Sequence, residues 1–203
     1  MNVKHLLIAI LGVAMVREIS QADSPAPPRA YVTASRLGRY FFKMIPEKWH
    51  REGDKYFVDR AAFGVAYEVD TEGEFKEIWR TSGWYCFEAF LSEDGKYLVR
   101  MGPWNGGLEP AKGDLAVAFY ENGKLLKEYS TADLVDDTSK VIVSTSHYSW
   151  LARDKEPFEP KAKPDPEAKL KLDWKNAFHL KTIDGIIYKF DATTGDIKEK
   201  KKP

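Results

Sequence analysis

The chain has 203 residues, of which 43% are hydrophobic and 13% aromatic, and its 31 Lys and Arg residues balance 31 Asp and Glu residues. This length suits one domain, and the aromatic content provides large side chains to fill its core. The balanced charge argues against a general nucleic-acid-binding protein, which would present a basic face.

The first 22 residues have the pattern of a secretory signal peptide. A positive start at Lys4 precedes an apolar run, Leu6–Val16, and Ser20-Gln21-Ala22 supplies the small residues that a signal peptidase recognises. The run is shorter than the roughly 20 residues that span a bilayer, although an N-terminal membrane anchor is the alternative. We predict a signal peptide over residues 1–22, a disordered spacer over 23–28, and a soluble product that is secreted or periplasmic and not held at a membrane.

From residue 29 to 199 the sequence predicts a single antiparallel, all-β domain. Its apolar segments are short and bounded by turn residues, and Glu121-Asn122-Gly123 carries the Asn-Gly pair that favours a tight hairpin. A final strand-turn-strand-turn-strand unit covers Phe178 to Glu199. The other predicted strands are Arg39–Ile45, Gly64–Val69, Phe75–Arg80, Tyr85–Leu91, Lys96–Met101, Leu115–Tyr120, Leu125–Tyr129 and Val141–Trp150.

A few segments depart from this strand pattern. Ser130 to Val135 has the residues of a short capped helical turn, and Pro46 to Arg51 predicts a second one. Residues 154–168 are rich in proline and charge, which predicts a long exposed loop. Residues 200–203 are predicted to be a frayed tail.

Two sequence patterns recur along the chain. Ser35 to Pro46 is echoed by Ser92 to Pro103, and Tyr67 to Glu77 is matched by Phe119 to Glu128 and again by Tyr188 to Glu199. Such repetition is typical of architectures that copy one β-hairpin unit.

The repeated segments carry a resemblance. Ser92 to Val99, followed by Leu115 to Lys127, is similar to a blade of the WD40-like and related bacterial β-propeller families. The Tyr129 to Leu134 turn also resembles a group of uncharacterised secreted bacterial proteins. The resemblance implies a meander of propeller-like hairpin repeats and no particular activity. No Trp-Asp dipeptide closes a blade and the spacing between copies is irregular, so a partial propeller, a curved sheet and a sandwich all stay open.

Cys86 is the one cysteine, so the chain can form no internal disulfide. Its neighbours Trp84, Tyr85 and Phe87 are aromatic. They favour burial of Cys86 as a small hydrophobic residue over a reactive thiol.

The sequence offers no catalytic or metal-binding signature. His50, His147 and His179 are far apart and lack the spacing of zinc ligands, and no Gly-x-Ser-x-Gly motif is present. Ser146 and His147 are adjacent, so on a strand they would point to opposite faces. We predict no catalytic residues, no metal and no cofactor.

The loop from Gly102 to Gly107 is the strongest candidate for ligand binding. Trp104 beside Asn105 pairs an aromatic ring with an amide, a combination that can stack on and hydrogen-bond a sugar. We predict that His147 and Trp150 are their neighbours. The alternative is that Trp104 packs over the edge of the sheet and the glycines only turn the chain.

These observations favour an exported, non-enzymatic binding or scaffolding module with a glycan or protein ligand. One alternative is a small secreted hydrolase that acts on carbohydrate or cell-wall material. Another is a structural subunit that forms a homo-oligomer to cover exposed strand edges.

Overall fold

The computed structural model describes residues 25–155 and 166–203, and this part of the chain is all-β with antiparallel sheets. The predicted signal peptide, residues 23–24 of the predicted spacer 23–28 and residues 156–165 of the predicted loop 154–168 lie outside the described residues. Residues 25–30 have no regular secondary structure. No helix in the described ranges is long and apolar enough to cross a membrane.

Three four-stranded sheets make up most of the described chain. In each sheet the strands follow one another antiparallel and in chain order. The first sheet contains β1 (Tyr31–Ala34), β2 (Tyr40–Ile45), β5 (Phe63–Val69) and β6 (Phe75–Ser82). The second contains β7 (Ala89–Leu91), β8 (Tyr97–Met101), β9 (Leu115–Glu121) and β10 (Lys124–Ser130). The third contains β13 (Lys171–Leu172), β14 (Ala177–Lys181), β15 (Ile187–Asp191) and β16 (Ile197–Lys201).

Two smaller hairpins stand between these strands. The first is inserted between β2 and β5 and pairs β3 (Lys48–Glu52) with β4 (Lys55–Arg60). The second follows the second sheet and pairs β11 (Ile142–Val143) with β12 (Tyr148–Ser149).

The repeated sequence Ser-x-x-Gly forms the same turn twice. The Ser35 N–H donates to the Tyr40 carbonyl at 2.8 Å, and the Ser92 N–H donates to the Tyr97 carbonyl at 2.9 Å. The third sheet begins with a related turn, in which the Asp173 N–H donates to the Ala177 carbonyl at 2.9 Å. Asn176 adopts φ +58° in that turn, a backbone region that glycine and asparagine tolerate.

The second sheet is buried on both faces, which is why β9 is almost continuously apolar. Leu98 and Ala118 belong to the cluster that includes Phe42 and Trp79 of the first sheet. Alternate residues of the same strands belong to a second cluster, with side chains of the third sheet. Its largest fully buried members include Phe119, Phe178, Tyr188 and Phe190.

The first strands of the three sheets lie near one another. β7 contacts β1 of the first sheet and β13 of the third sheet. The second sheet therefore connects the two others through its faces and through its first strand.

The predicted capped turn is confirmed. Thr131–Leu134 forms the helix α1, whose N-cap is Ser130. The Ser130 side chain accepts from the Asp133 N–H, and the Asp133 carboxylate accepts from the Ser130 N–H. This reciprocal pair satisfies backbone donors that would otherwise lack partners at the helix start.

Four predictions of local structure were wrong in whole or in part. The second helical turn, Pro46 to Arg51, is instead the strand β3, because Gly53 and Asp54 form a two-residue connection that pairs it with β4. The predicted strand Val141–Trp150 is divided into β11 and β12 by a turn. Only Ala89–Leu91 of the predicted strand Tyr85–Leu91 is strand. At the C-terminus, β16 ends at Lys201, inside the segment predicted as a tail.

Cys86 is fully buried, as its aromatic neighbours predict. Its Sγ lies 3.3 Å from the Tyr31 hydroxyl. Burial raises the pKa of the Cys86 thiol, which disfavours the reactive thiolate.

Candidate functional site

The loop from Gly102 to Gly107 leaves β8 under a tight backbone constraint. The Gly102 N–H donates to the Ala116 carbonyl at 2.8 Å. A Cβ atom at position 102 would lie 1.7 Å from the Leu115 carbonyl oxygen, so the close approach requires glycine. This contact fixes the point from which Pro103 and Trp104 extend.

The turn between β11 and β12 meets this loop. Gly106 forms an isolated antiparallel bridge with His147, and the Gly107 N–H donates to the Ser146 carbonyl at 3.0 Å. The bridge brings the Trp104 ring over the His147 ring, with 3.9 Å between centroids and 36° between planes. Two segments about 40 residues apart in the chain therefore share one aromatic contact.

His147 is positioned by the turn on which it lies. The Ser144 N–H donates to the His147 carbonyl at 2.9 Å, and the Ser144 hydroxyl contacts Nδ1 of the imidazole. The imidazole ring therefore contacts both the Ser144 hydroxyl and the Trp104 indole.

Trp150 is anchored against the third sheet. Its carbonyl accepts from the Ile183 N–H at 2.8 Å, and Leu151 forms a bridge with Thr182. Only 7% of Trp150 is exposed, so the residue is almost fully packed.

Tyr148 ties the β11–β12 hairpin to other segments through its hydroxyl group. Its hydroxyl donates to Oδ2 of Asp114 at 2.7 Å and lies 2.7 Å from the Thr131 hydroxyl. Burial raises the pKa of Tyr148 well above its usual range, so this phenol stays protonated and acts as a donor. These contacts tie the site to the start of α1.

All four residues predicted as a ligand site line one open cavity of about 560 Å³. Trp104 is 41% exposed, whereas Asn105 is buried. His147, in contact with Trp104, and Trp150 complete the set. The structure therefore brings together residues that the sequence connected only by composition.

Other lining residues were missed by the sequence reasoning. Phe87 is partly exposed beside the cavity, and Met101 precedes the critical glycine. Arg153 also lines it, and its guanidinium bonds the Glu88 carboxylate at 2.7 Å. Pro25 and Ala26 lie along the same cavity. The exposed aromatic at position 87, next to a buried cysteine, was the one available signal.

Within residues 25–155 and 166–203, no group of three or more His, Cys, Asp and Glu side chains is arranged to hold a metal ion. The three histidines that the sequence singled out lie apart. His50 is on β3, His147 is at the cavity, and His179 is on β14 beside Asp173, with 3.2 Å between Nε2 and Oδ2.

Comparison of the chain with models of known protein families found no match, and comparison with curated protein sequences found none either. What the cavity binds therefore has to be inferred from its own geometry and chemistry.

Proposed function

We propose that this chain is an exported, non-enzymatic binding module that holds a glycan in the cavity beside Trp104. The observation that carries this proposal is the convergence of Trp104, Asn105, His147 and Trp150 around one cavity. Its volume of about 560 Å³ lies within the range of roughly 300–1,000 Å³ that is typical of small-molecule sites.

The chemistry of the lining suits a sugar. A pyranose ring has an apolar C–H face that packs on an aromatic ring and a rim of hydroxyl groups that need hydrogen-bonding partners. Trp104 offers an exposed indole at the mouth of the cavity, held in place by His147. Asn105, Ser149 and Arg153 supply polar groups around it.

The same lining favours binding over hydrolysis. Glycoside hydrolysis ordinarily needs two carboxyl groups about 5–10 Å apart across the scissile bond. The described residues that line the cavity include no Asp or Glu, and Glu88 nearby is paired with Arg153. This arrangement supports the binding module over the secreted hydrolase.

For the scaffold, we propose that the three four-stranded sheets are blades of a partial, propeller-like meander. Support comes from the sequential strand order within each sheet and from the contacts of β7 with β1 and β13. Loops at one rim of such a repeat array are common places for ligand binding. The assignment of the product to the periplasm or the cell exterior rests on the pattern of residues 1–22.

Glycan-array binding of the chain purified after export tests this function. We expect Trp104→Ala to weaken binding at least about tenfold, because it removes the stacking surface. Trp49→Ala is the matched control, since Trp49 is also a partly exposed indole and lies on β3 away from the cavity. A wild-type protein that binds no glycan would overturn the ligand class. Equal binding by both variants would overturn the site.

A further inference from the structure

The β3–β4 hairpin has surface chemistry that the proposed glycan site does not use. Every residue of both strands is exposed, including the large apolar side chains of Trp49, Tyr56, Phe57 and Val58. Among the described residues, β4 pairs with β3 alone, so its outer edge carries unpaired backbone donors and acceptors. Such an edge is a template for another strand.

Contacts between its own aromatic side chains organise the hairpin. Trp49 meets Tyr56 edge to face at 5.3 Å on one side, and His50 stacks on Phe57 at 5.5 Å on the other. Nδ1 of His50 lies 2.5 Å from Oδ1 of Asp59. A partner strand would thus meet a preformed edge and would have little ordering cost to overcome.

We propose that two copies of this chain associate through the outer edges of β4, with the two strands antiparallel and a two-fold axis at Phe57. In this register Lys55 lies opposite the partner's Asp59, and Tyr56 lies opposite the partner's Val58. Paired residues differ by an even number, so each side chain keeps its own face of the combined sheet.

Charge complementarity selects this register. It places Lys55 opposite an acid, Asp59, twice, once on each side of the axis. A shift of two residues in one direction sets Lys55 opposite Phe57, and a shift in the other direction sets Asp59 opposite Phe57. Opposite charges across a strand pair are stabilising, whereas the shifted registers place no opposite charge across the dimer edge from Lys55 or Asp59.

The same charges argue for a second copy as the occupant. Residues 47–60 contain four basic side chains and four acidic ones. A uniformly charged partner, such as an anionic membrane or a nucleic acid, would be repelled by as many groups as attract it. A copy related by two-fold symmetry matches both signs, and the shared edge closes the assembly at two chains.

Sedimentation velocity over a concentration series tests the dimer. We expect wild type to dimerise and Lys55→Glu to raise the dimer dissociation constant about tenfold, because each side of the axis exchanges an attraction for a repulsion. Asp59→Lys should do the same. The double variant Lys55→Glu/Asp59→Lys restores opposite charges and should recover most of the affinity. A monomeric wild type at all concentrations, or single variants that dimerise like wild type, would overturn the proposal.

A disulfide test checks the register independently of the charges. Phe57→Cys places two thiols at the axis, so oxidation should join the two chains. Lys55→Cys is the control on the same face, since its two copies would lie about four residues apart along the strands, roughly 14 Å, too far for a disulfide. The native Cys86 is buried and should not compete. Crosslinking at position 55 and not at 57 would contradict the register.

Discussion

Two hairpins of this protein have nearly the same connection and opposite surroundings. The β9–β10 hairpin joins Glu121 to Lys124 through Asn122-Gly123, and the β3–β4 hairpin joins Glu52 to Lys55 through Gly53-Asp54. Both use two-residue loops with a positive φ where the tight turn requires it. β9 nevertheless has five consecutive buried residues, whereas β3 and β4 have none. Turn chemistry therefore forms a hairpin, and burial decides whether that hairpin stabilises the protein.

The largest change in the free energy of unfolding is expected at a buried phenylalanine, and an exposed phenylalanine serves as its comparison. Phe119 on β9 is 0% exposed and Phe57 on β4 is 43% exposed. Phe119→Ala should lower the free energy of unfolding by about 3–5 kcal/mol, because it leaves a cavity between the second and third sheets. Phe57→Ala should change it by less than about 1 kcal/mol. Urea unfolding of both variants at a dilution where wild type is monomeric makes the measurement.

The two variants test different parts of the structure. A small effect at Phe119 would mean that the core between the second and third sheets does not hold the fold together. A large effect at Phe57 would mean that the β3–β4 hairpin is buried against another part of the same chain.

The repeated turns show where sequence reasoning succeeds. Gly38 and Gly95 have positive φ in the two Ser-x-x-Gly turns, and the recurrence was visible because the same residue types occupy the same positions. The related turn in the third sheet was missed because Asn176 replaces glycine there. The strand β3 was missed because Lys48–Glu52 has no buried face, so no alternation of apolar and polar residues marks it.

Only part of the candidate site was predictable from the sequence. Trp104 and Asn105 stand out in a glycine-rich loop, which made them candidates from composition alone. The contact of Trp104 with His147 depends on the Gly106 bridge, and the guanidinium of Arg153, at the cavity, bonds the Glu88 carboxylate. Local pattern cannot encode either contact, because both join segments distant in the chain.

A smaller loss of stability is expected at Gly102, where the backbone lies close to the Leu115 carbonyl. Gly102→Ala should lower the free energy of unfolding by about 1–3 kcal/mol, since its Cβ would collide with the Leu115 carbonyl and force β8 and β9 to shift. Gly113→Ala is the control in the same connection, where a Cβ meets nothing within 4 Å. Thermal unfolding of both variants provides the measurement. Equal stability of the two would show that the 102–107 loop adapts freely, and would remove the constraint that positions Trp104.

The smallest change in stability is expected from charged groups. Here an ion pair at α1 is compared with one on the β3–β4 hairpin. Lys112 and Ser130 hold the pKa of Asp133 at about 2, below its usual 3.8. A lowered pKa in the folded state stabilises the protein above about pH 4, and this contribution is lost as the pH falls through about 2. Because the Asp133 side chain is about a third exposed, we discount the effect for solvent screening to about 1 kcal/mol.

Asp133→Asn should therefore cost about 1 kcal/mol at pH 6 and almost nothing at pH 2, measured by urea unfolding at both values. Asp54→Asn is the control at the hairpin tip, where Asp54 pairs with Arg51 but is fully exposed, and it should leave stability unchanged at either pH. A cost at position 133 that is the same at both pH values would assign the effect to lost helix capping, independent of the carboxylate charge. The ion pair of Asp133 with Lys112 would then be no more stabilising than that of Asp54 with Arg51 on the hairpin. Burial would in that case stabilise the protein through apolar packing alone.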